Sequence, residues 1–192
     1  MMTMLSLDTL GFVPRFRSTS VSEVPSDARV VSFPAGASHG PAGVWVHVLP
    51  DESPDWYGHV GAGDGELSGL WCGPSPRHLT AVVRGEGYII PVSDPDAYLP
   101  IDSVIPICDV RRIPNAELLV VASFRDVAQY GTDGLRWIAR DVTQSDLHVT
   151  TVTATTIEGF AEGHDFLMAD IPFTINAGTG EVIRSGLPPW AR

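Results

Sequence analysis

Glycine and proline interrupt this sequence so often that a fold built on long helices is excluded. The 192 residues include 19 Gly and 16 Pro, and either residue inside a helix weakens or breaks it. Val, Ile and Thr are abundant between these breaks, and their branched side chains suit a pleated surface. Hydrophobic residues make up 44% of the chain, which is enough to build a sizeable core. The sequence therefore predicts a folded protein made of short strands.

Apolar residues recur with the period of two that is typical of strands. In residues 44–49 every second residue is a valine, and these valines alternate with Trp45, His47 and Leu49. Short apolar runs follow at 8–12-residue spacing, with turn residues between them. The pattern predicts an all-β fold of antiparallel meanders, with propeller-blade-like or sandwich-like sheets around one core.

Two hairpins are indicated by their turn residues. Residues 78–84 and 88–92 flank a glycine-rich turn, and Asp133–Gly134 separates two further apolar runs. A helix after Ser123 is the alternative for the second hairpin, because Ser123 and Asp126 have the spacing of a capping box. Glycine at position 131 would leave that helix barely two turns long, so the strand is favoured.

The pattern also predicts how the chain is divided. Residues 1–28 show no clean period, and we expect an irregular N-terminal segment there. Residues 29–192 are expected to form a single β domain. Two sheet subdomains, about 29–113 and 114–192, are the alternative.

Two phrases in the C-terminal half resemble the blades of quinoprotein or WD40-like β-propellers. YGTDGLRW (130–137) is followed by INAGTGEVI (175–183), in which Asn176 stands where such repeats usually have Asp. The segment from about 66 to 184 also resembles a group of uncharacterised bacterial β-rich proteins. This resemblance implies a fold and no activity. At about 40–45 residues per blade the chain holds at most four blades.

The charge distribution excludes several classes of function. All 12 basic residues are Arg, against 23 Asp and Glu, and the formal net charge is −11. Without lysine there is no P-loop and no Schiff-base chemistry. An acidic chain is also a poor partner for nucleic acid, whereas its field attracts a basic protein. We therefore expect a non-catalytic acidic protein-binding module, for example an immunity- or inhibitor-type protein.

The loop DESPDWYGH (51–59) holds the candidate binding residues. Trp56 and Tyr57 stand beside Asp55 and Glu52, and exposed aromatic residues next to carboxylates are suited to anchoring a protein partner. The alternative is that the loop aromatics fold over a sheet edge. Trp45 and Trp137 lie on predicted strands and are expected in the core.

A small hydrolase is the alternative function. The glycine-rich segment around Ser38 matches the letters of G-x-S-x-G, and Asp141 with His148 or His164 would complete the chain order of a triad. Proline and glycine directly after this segment argue against the strand-to-helix turn that the motif requires, so an ordinary loop is favoured.

A metal-assisted enzyme is a further possibility. His59 with Asp64 and Glu66, or Glu158 with His164 and Asp165, would have to gather in space, because no zinc-ligand spacing is present. We expect neither a metal nor another cofactor, and no catalytic residue is predicted.

The remaining expectations concern the setting of the protein. No apolar stretch is long enough for a membrane span, and no signal peptide is evident, so we expect a cytoplasmic protein. The resemblance to bacterial β-rich proteins implies a bacterial source. A structural subunit of a larger assembly is the second alternative function. The oligomeric state is left open.

Overall fold

The computed structural model describes residues 4–36, 43–144, 146–162 and 169–184. Throughout these ranges the chain forms strands, with one short 3-10 helix at Pro95–Ala97. The predicted all-β class is confirmed. Contacts divide the chain into two compact units, Met1–Asp102 and Ser103–Arg192, so the division falls about ten residues before the predicted subdomain boundary near 113. None of the helices in the described ranges has the length and apolarity that crossing a membrane requires.

The first unit contains nine strands in its described residues. They form a four-stranded sheet in the order β2-β4-β5-β3, here the first sheet, and a five-stranded sheet in the order β1-β6-β7-β8-β9, here the second sheet. Two pairs, β1 with β6 and β3 with β5, are parallel. The strands are β1 Leu7–Asp8, β2 Phe16–Val21, β3 Val30–Phe33, β4 Gly43–Pro50, β5 Trp56–Gly61, β6 Gly69–Cys72, β7 His78–Val83, β8 Glu86–Pro91 and β9 Leu99–Ile101.

The expectation of an irregular segment at residues 1–28 is wrong for part of its length. Strands β1 and β2 lie inside it, and β2 pairs along all six of its residues with β4. Phe16, Ser18 and Ser20 are the buried positions of β2. Two of these three inward residues are polar, and for this reason the sequence shows no apolar alternation.

The second unit consists of two four-stranded antiparallel sheets in the described residues, here the third and fourth sheets. Each follows chain order, β10-β11-β12-β13 and β14-β15-β16-β17. The helix considered after Ser123 is absent, because residues Val127–Gly131 form β12. The strands are β10 Asp109–Arg112, β11 Leu119–Ala122, β12 Val127–Gly131, β13 Gly134–Ala139, β14 Leu147–Val152, β15 Thr156–Ala161, β16 Ile171–Asn176 and β17 Val182–Arg184.

The two phrases that resemble propeller blades meet inside the second unit. The Trp137 indole Nε1 donates to the backbone oxygen of Ala177 at 3.1 Å, and Gln129 Nε2 donates to the same oxygen at 2.7 Å. Gly180 has a φ of +75°, and a Cβ there would lie 2.7 Å from the indole ring. The Trp137 indole thus joins the third sheet to the fourth by packing against the turn that contains Gly180.

Buried apolar side chains form a separate cluster in each unit, whereas the sequence predicted one core. The cluster of the first unit is rich in aromatic residues: Phe33 lies 6.1 Å from Trp56 and 5.1 Å from Tyr98, measured between ring centroids. The cluster of the second unit is mainly aliphatic, with Phe173 at 1% exposure as its large aromatic member.

Candidate functional site

One face of the first sheet carries four aromatic side chains in register. In β4 the valines at 46 and 48 are fully buried, so Trp45 and His47 lie on the opposite face. In β5, Tyr57 pairs with His47 and His59 pairs with Trp45 across the antiparallel ladder. Directly paired residues of neighbouring strands lie side by side on one face. We call the surface formed by Trp45, His47, Tyr57 and His59 the aromatic face.

His47 and Tyr57 are fixed by a stack and a hydrogen bond. Their ring centroids are 4.3 Å apart, and the ring planes differ by 6°. His47 Nε2 lies 2.8 Å from Asp55 Oδ2, and because an ionised carboxylate only accepts, the proton on this bond belongs to Nε2. The Asp55 side chain is 55% exposed. A carboxylate at the surface therefore orients an imidazole that in turn supports the tyrosine ring.

Trp45 and His59 form the second row of the aromatic face. Their ring centroids are 4.8 Å apart with the planes tilted by 56°, and His59 is only 4% exposed. A Cβ at position 43 would lie 2.6 Å from His59 Nε2. Gly43 therefore leaves the space that the imidazole occupies beneath the strand end, and the buried imidazole is in turn in contact with the indole.

Residues 51–55 join β4 to β5 at the edge of this face. Asp51, Glu52 and Asp55 are all exposed. Glu52 Oε2 lies 3.4 Å from Arg77, an exposed pair that contributes little to stability. Asp51 makes no ion pair within the described part of the chain. We call residues 51–55 the acidic loop.

Three of the four predicted partner-binding residues lie at this surface, and one does not. Asp55 and Tyr57 both contact His47, and Glu52 is exposed on the acidic loop. Trp56 is 1% exposed, so the prediction of an exposed indole is wrong. Strand β5 begins at Trp56, and successive residues of a strand point to opposite faces. The Trp56 indole Nε1 donates to the backbone oxygen of Val92 at 2.9 Å inside the first unit.

The aromatic face also contains residues that the sequence analysis did not select. The sequence pattern does not indicate His47 as a binding residue, and Trp45, which is expected in the core, is half-buried. The alternation in residues 44–49 held the signal, because a strand whose one face is all valine must turn its Trp and His to the other face. What the sequence lacked was the pairing with β5 that places Tyr57 beside His47.

The residues of the alternative enzyme sites are not assembled by the described part of the chain. Ser38, His164 and Asp165 lie outside the described residues. Asp141 is paired with Arg125 at 2.7 Å, and His148 with Glu162 at 2.9 Å.

The metal hypotheses find no assembled ligand set either. Asp64 and Glu66 are exposed in the loop after β5, whereas His59 is buried on the aromatic face, and Glu158 is exposed on β15. In ranges 4–36, 43–144, 146–162 and 169–184, no group of three or more His, Cys, Asp or Glu residues is arranged to hold a metal ion.

Two open cavities are lined by described residues of the second unit. One, of about 520 Å³, lies between the turns that precede β11 and β13, with Glu117, Asp133 and Arg136 in its lining. The other, of about 350 Å³, includes Cys108 and His148. Cys108 Sγ donates to the backbone oxygen of Pro106 at 3.5 Å. Neither cavity contains a residue of the predicted partner-binding set.

Comparison of the chain with protein-family models, with curated proteins and with solved structures found no match.

Proposed function

We propose that this protein is a non-catalytic binding module whose aromatic face and acidic loop receive a basic protein partner. One observation carries the proposal. An aromatic surface of Trp45, His47 and Tyr57 borders a loop with three exposed carboxylates. Aromatic residues supply most of the energy of a binding hot spot, and surrounding charges set the rate of association and the choice of partner.

The charge of the first unit supports a basic partner. Residues 1–102 contain 12 Asp and Glu but only 5 Arg, so most of the chain's formal charge of −11 lies in the unit that carries the face. Such a field accelerates encounter with a cationic protein and repels nucleic acid and other acidic proteins. An immunity- or inhibitor-type protein that covers a cationic enzyme or toxin in the bacterial cytoplasm is the specific form of this proposal.

The four-stranded meanders of the second unit are proposed to be blade-like sheets. Each sheet pairs its strands in chain order, and Trp137 contacts the turn of the following sheet through Ala177 and Gly180. A repeated sheet with an indole that contacts the next sheet is what the resemblance to propeller blades implies. No catalytic role is proposed for the second unit.

Affinity capture from the native host tests the proposal with the full chain as bait. The variant Asp51→Asn/Glu52→Gln/Asp55→Asn removes three carboxylates from the acidic loop. The control Asp64→Asn/Glu66→Gln/Asp102→Asn removes three exposed carboxylates elsewhere in the same unit, so overall charge is matched. We expect one basic protein to bind the native chain and the control variant, and its recovery to fall at least about tenfold with the acidic-loop variant.

Two results would contradict the proposal. If the native chain captured no basic protein, the proposed basic partner would be excluded. Equal losses with both triple variants would show that net charge alone, and not this surface, holds the captured protein.

A further inference from the structure

We infer that the partner group received at the aromatic face is a single arginine side chain. The inference rests on the proposed function and adds the chemistry of the contact. Its physical basis is that the acidic loop offers carboxylate oxygens beside aromatic rings, and a guanidinium is the protein cation that uses both at once.

The acceptors for a guanidinium are on the acidic loop. Asp55 Oδ2 accepts from His47, and because the Asp55 side chain is 55% exposed, this carboxylate is open to solvent. Asp51 is exposed four residues earlier and makes no ion pair within the described part of the chain. A guanidinium has five N–H donors in one plane, so it can bond a carboxylate through two of them.

The rings beside the acidic loop distinguish arginine from lysine. Tyr57 is held parallel to His47 by their stack, and Trp45 is its neighbour in the second row of the face. A planar guanidinium is weakly hydrated and can lie against such rings while it still bonds a carboxylate. A lysine ammonium is a compact and strongly hydrated charge, and it gains only the ion pair.

Nearby cations limit the contact to one arginine. Arg77 already forms an ion pair with Glu52. Arg17 is exposed on the side of the first sheet that carries the aromatic face, where it lies opposite Leu49 of β4 in the strand register. A run of cations laid across this face would meet Arg17 with like charge. A single well-placed guanidinium between Asp55 and the rings avoids that repulsion.

The test uses the full chain, labelled with nitrogen-15, and three capped amino-acid amides as probes. The probes are N-acetyl-arginine amide, N-acetyl-lysine amide and the neutral isostere N-acetyl-citrulline amide. We expect arginine to shift the backbone amide signals of residues 47 and 51–57, with a dissociation constant at least about fivefold lower than that of lysine. Citrulline should give no saturable shift, because it has the shape without the charge.

Matched variants locate the contact. Asp51→Asn/Asp55→Asn keeps an oxygen that can accept from His47 while it removes both charges, and it should abolish the preference for arginine. Asp64→Asn/Glu66→Gln removes the same number of charges from another exposed loop of the unit, and it should retain the preference.

The outcomes separate this inference from the proposed function. Equal affinity for arginine and lysine, shifts confined to other surfaces, or equal effects of the two double variants would each overturn the arginine contact. If the basic protein were nevertheless captured through the acidic loop, the proposed function would stand without it. If no basic protein were captured while the arginine preference was observed, the proposed function would fail and the inference would be reduced to an amino-acid site.

Discussion

The two units build similar numbers of strands into sheets by opposite routes. In the second unit every described strand pairs with its neighbour in the chain, and both sheets are antiparallel. In the first unit β2 pairs with β4, β3 pairs in parallel with β5, and β1 pairs in parallel with β6 across about sixty residues. The second unit is therefore specified by local turns, whereas the first depends on pairings that no single segment encodes.

The difference extends to what fills each interior. Phe33 in the first unit contacts the rings of Trp56, Tyr88 and Tyr98, and such ring pairs add to the energy of burial. The buried cluster of the second unit is aliphatic apart from Phe173, with the half-buried Trp137 packed against it. The two sheets of the first unit, which contain the long-range strand pairings, thus share an aromatic centre, whereas the cluster of the second unit, whose strands pair in chain order, is mainly aliphatic.

Phe33→Ala should have the largest effect and tests whether the aromatic centre holds the first unit together. Phe33 is 0% exposed, and its truncation should lower the free energy of unfolding by about 3–5 kcal/mol through the cavity and the lost ring contacts. Urea unfolding followed by circular dichroism measures the change. A loss under about 1 kcal/mol would mean that the neighbouring rings close the cavity, and the contrast between the two interiors would disappear.

Gly159→Ala makes the corresponding test in the second unit. A Cβ at Gly159 would overlap the backbone oxygen of His148 and lie 2.6 Å from the Phe173 ring, so β14 and β15 would have to separate. We expect a loss of about 3 kcal/mol in urea unfolding, at the upper end for overpacking. Gly178→Ala is the control, because its Cβ would meet only Asn176 Oδ1 at 3.4 Å. Equal stability of the two variants would contradict the prediction.

Ser20→Ala tests the long-range attachment of the N-terminal segment. Ser20 Oγ accepts from the backbone N–H of Leu5 at 2.7 Å and is 5% exposed. Its loss leaves a donor without a partner, which should cost about 1–2 kcal/mol of unfolding free energy. Ser18 lies on the same face of β2, and its Oγ has no hydrogen-bond partner among the described residues.

Ser18→Ala is therefore the matched control, and chemical denaturation compares the two variants. It should be neutral or stabilising by up to about 1 kcal/mol, because it removes a buried hydroxyl that gains no bond. A ranking in which Ser18→Ala is the more harmful would show that the hydrogen bond to Leu5 does not hold this segment.

Turn residues and strand pairing explain how much of the fold could be predicted from the sequence. Turn residues such as Asp133–Gly134 predicted the hairpins of the second unit, because a turn and its two strands are contiguous. Ser123 Oγ accepts from the backbone N–H of Asp126 as the capping alternative supposed, but here the bond closes a turn before β12. The hydrogen bond at this position is the same for a helix start and for a turn, and the pairing of β12 with β11 and β13 decides between them.

The candidate site was predictable to the same degree. Tyr57 and Asp55 are neighbours in the sequence, so their common surface could be inferred without a fold. The contribution of His47 requires the register of β4 against β5, and the burial of Trp56 requires knowing where β5 begins. Both depend on pairing, which composition and turn residues do not report.

Tyr88 gives the first unit a dependence on alkaline pH. Burial raises the pKa of Tyr88 well above its usual 10, and the hydrogen bond that its hydroxyl donates to Glu86 raises it further. The unfolded chain loses this proton as pH rises through about 10 while the folded chain keeps it, so stability is full below that pH and falls above it. The expected slope is about 1.4 kcal/mol per pH unit.

Urea unfolding between pH 8 and 11.5 measures this slope, and Tyr88→Phe should reduce it. Tyr57→Phe, which leaves Tyr88 in place, should retain the slope of the native chain. An unchanged slope in Tyr88→Phe would assign the alkaline loss to other groups.

Substitution of Asn176 has the smallest expected effect and tests the turn between β16 and β17. Its Oδ1 accepts from the backbone N–H groups of Gly178 at 2.9 Å and Thr179 at 3.2 Å. Asn176→Ala should cost about 1 kcal/mol in urea unfolding because both bonds are lost. Asn176→Asp restores the residue usual in the blade-like motif and keeps an accepting oxygen, so stability should change by less than about 0.5 kcal/mol. If Asp proved as costly as Ala, the turn would depend on the amide's donor group, and the equivalence of Asn176 to the Asp of that motif would be lost.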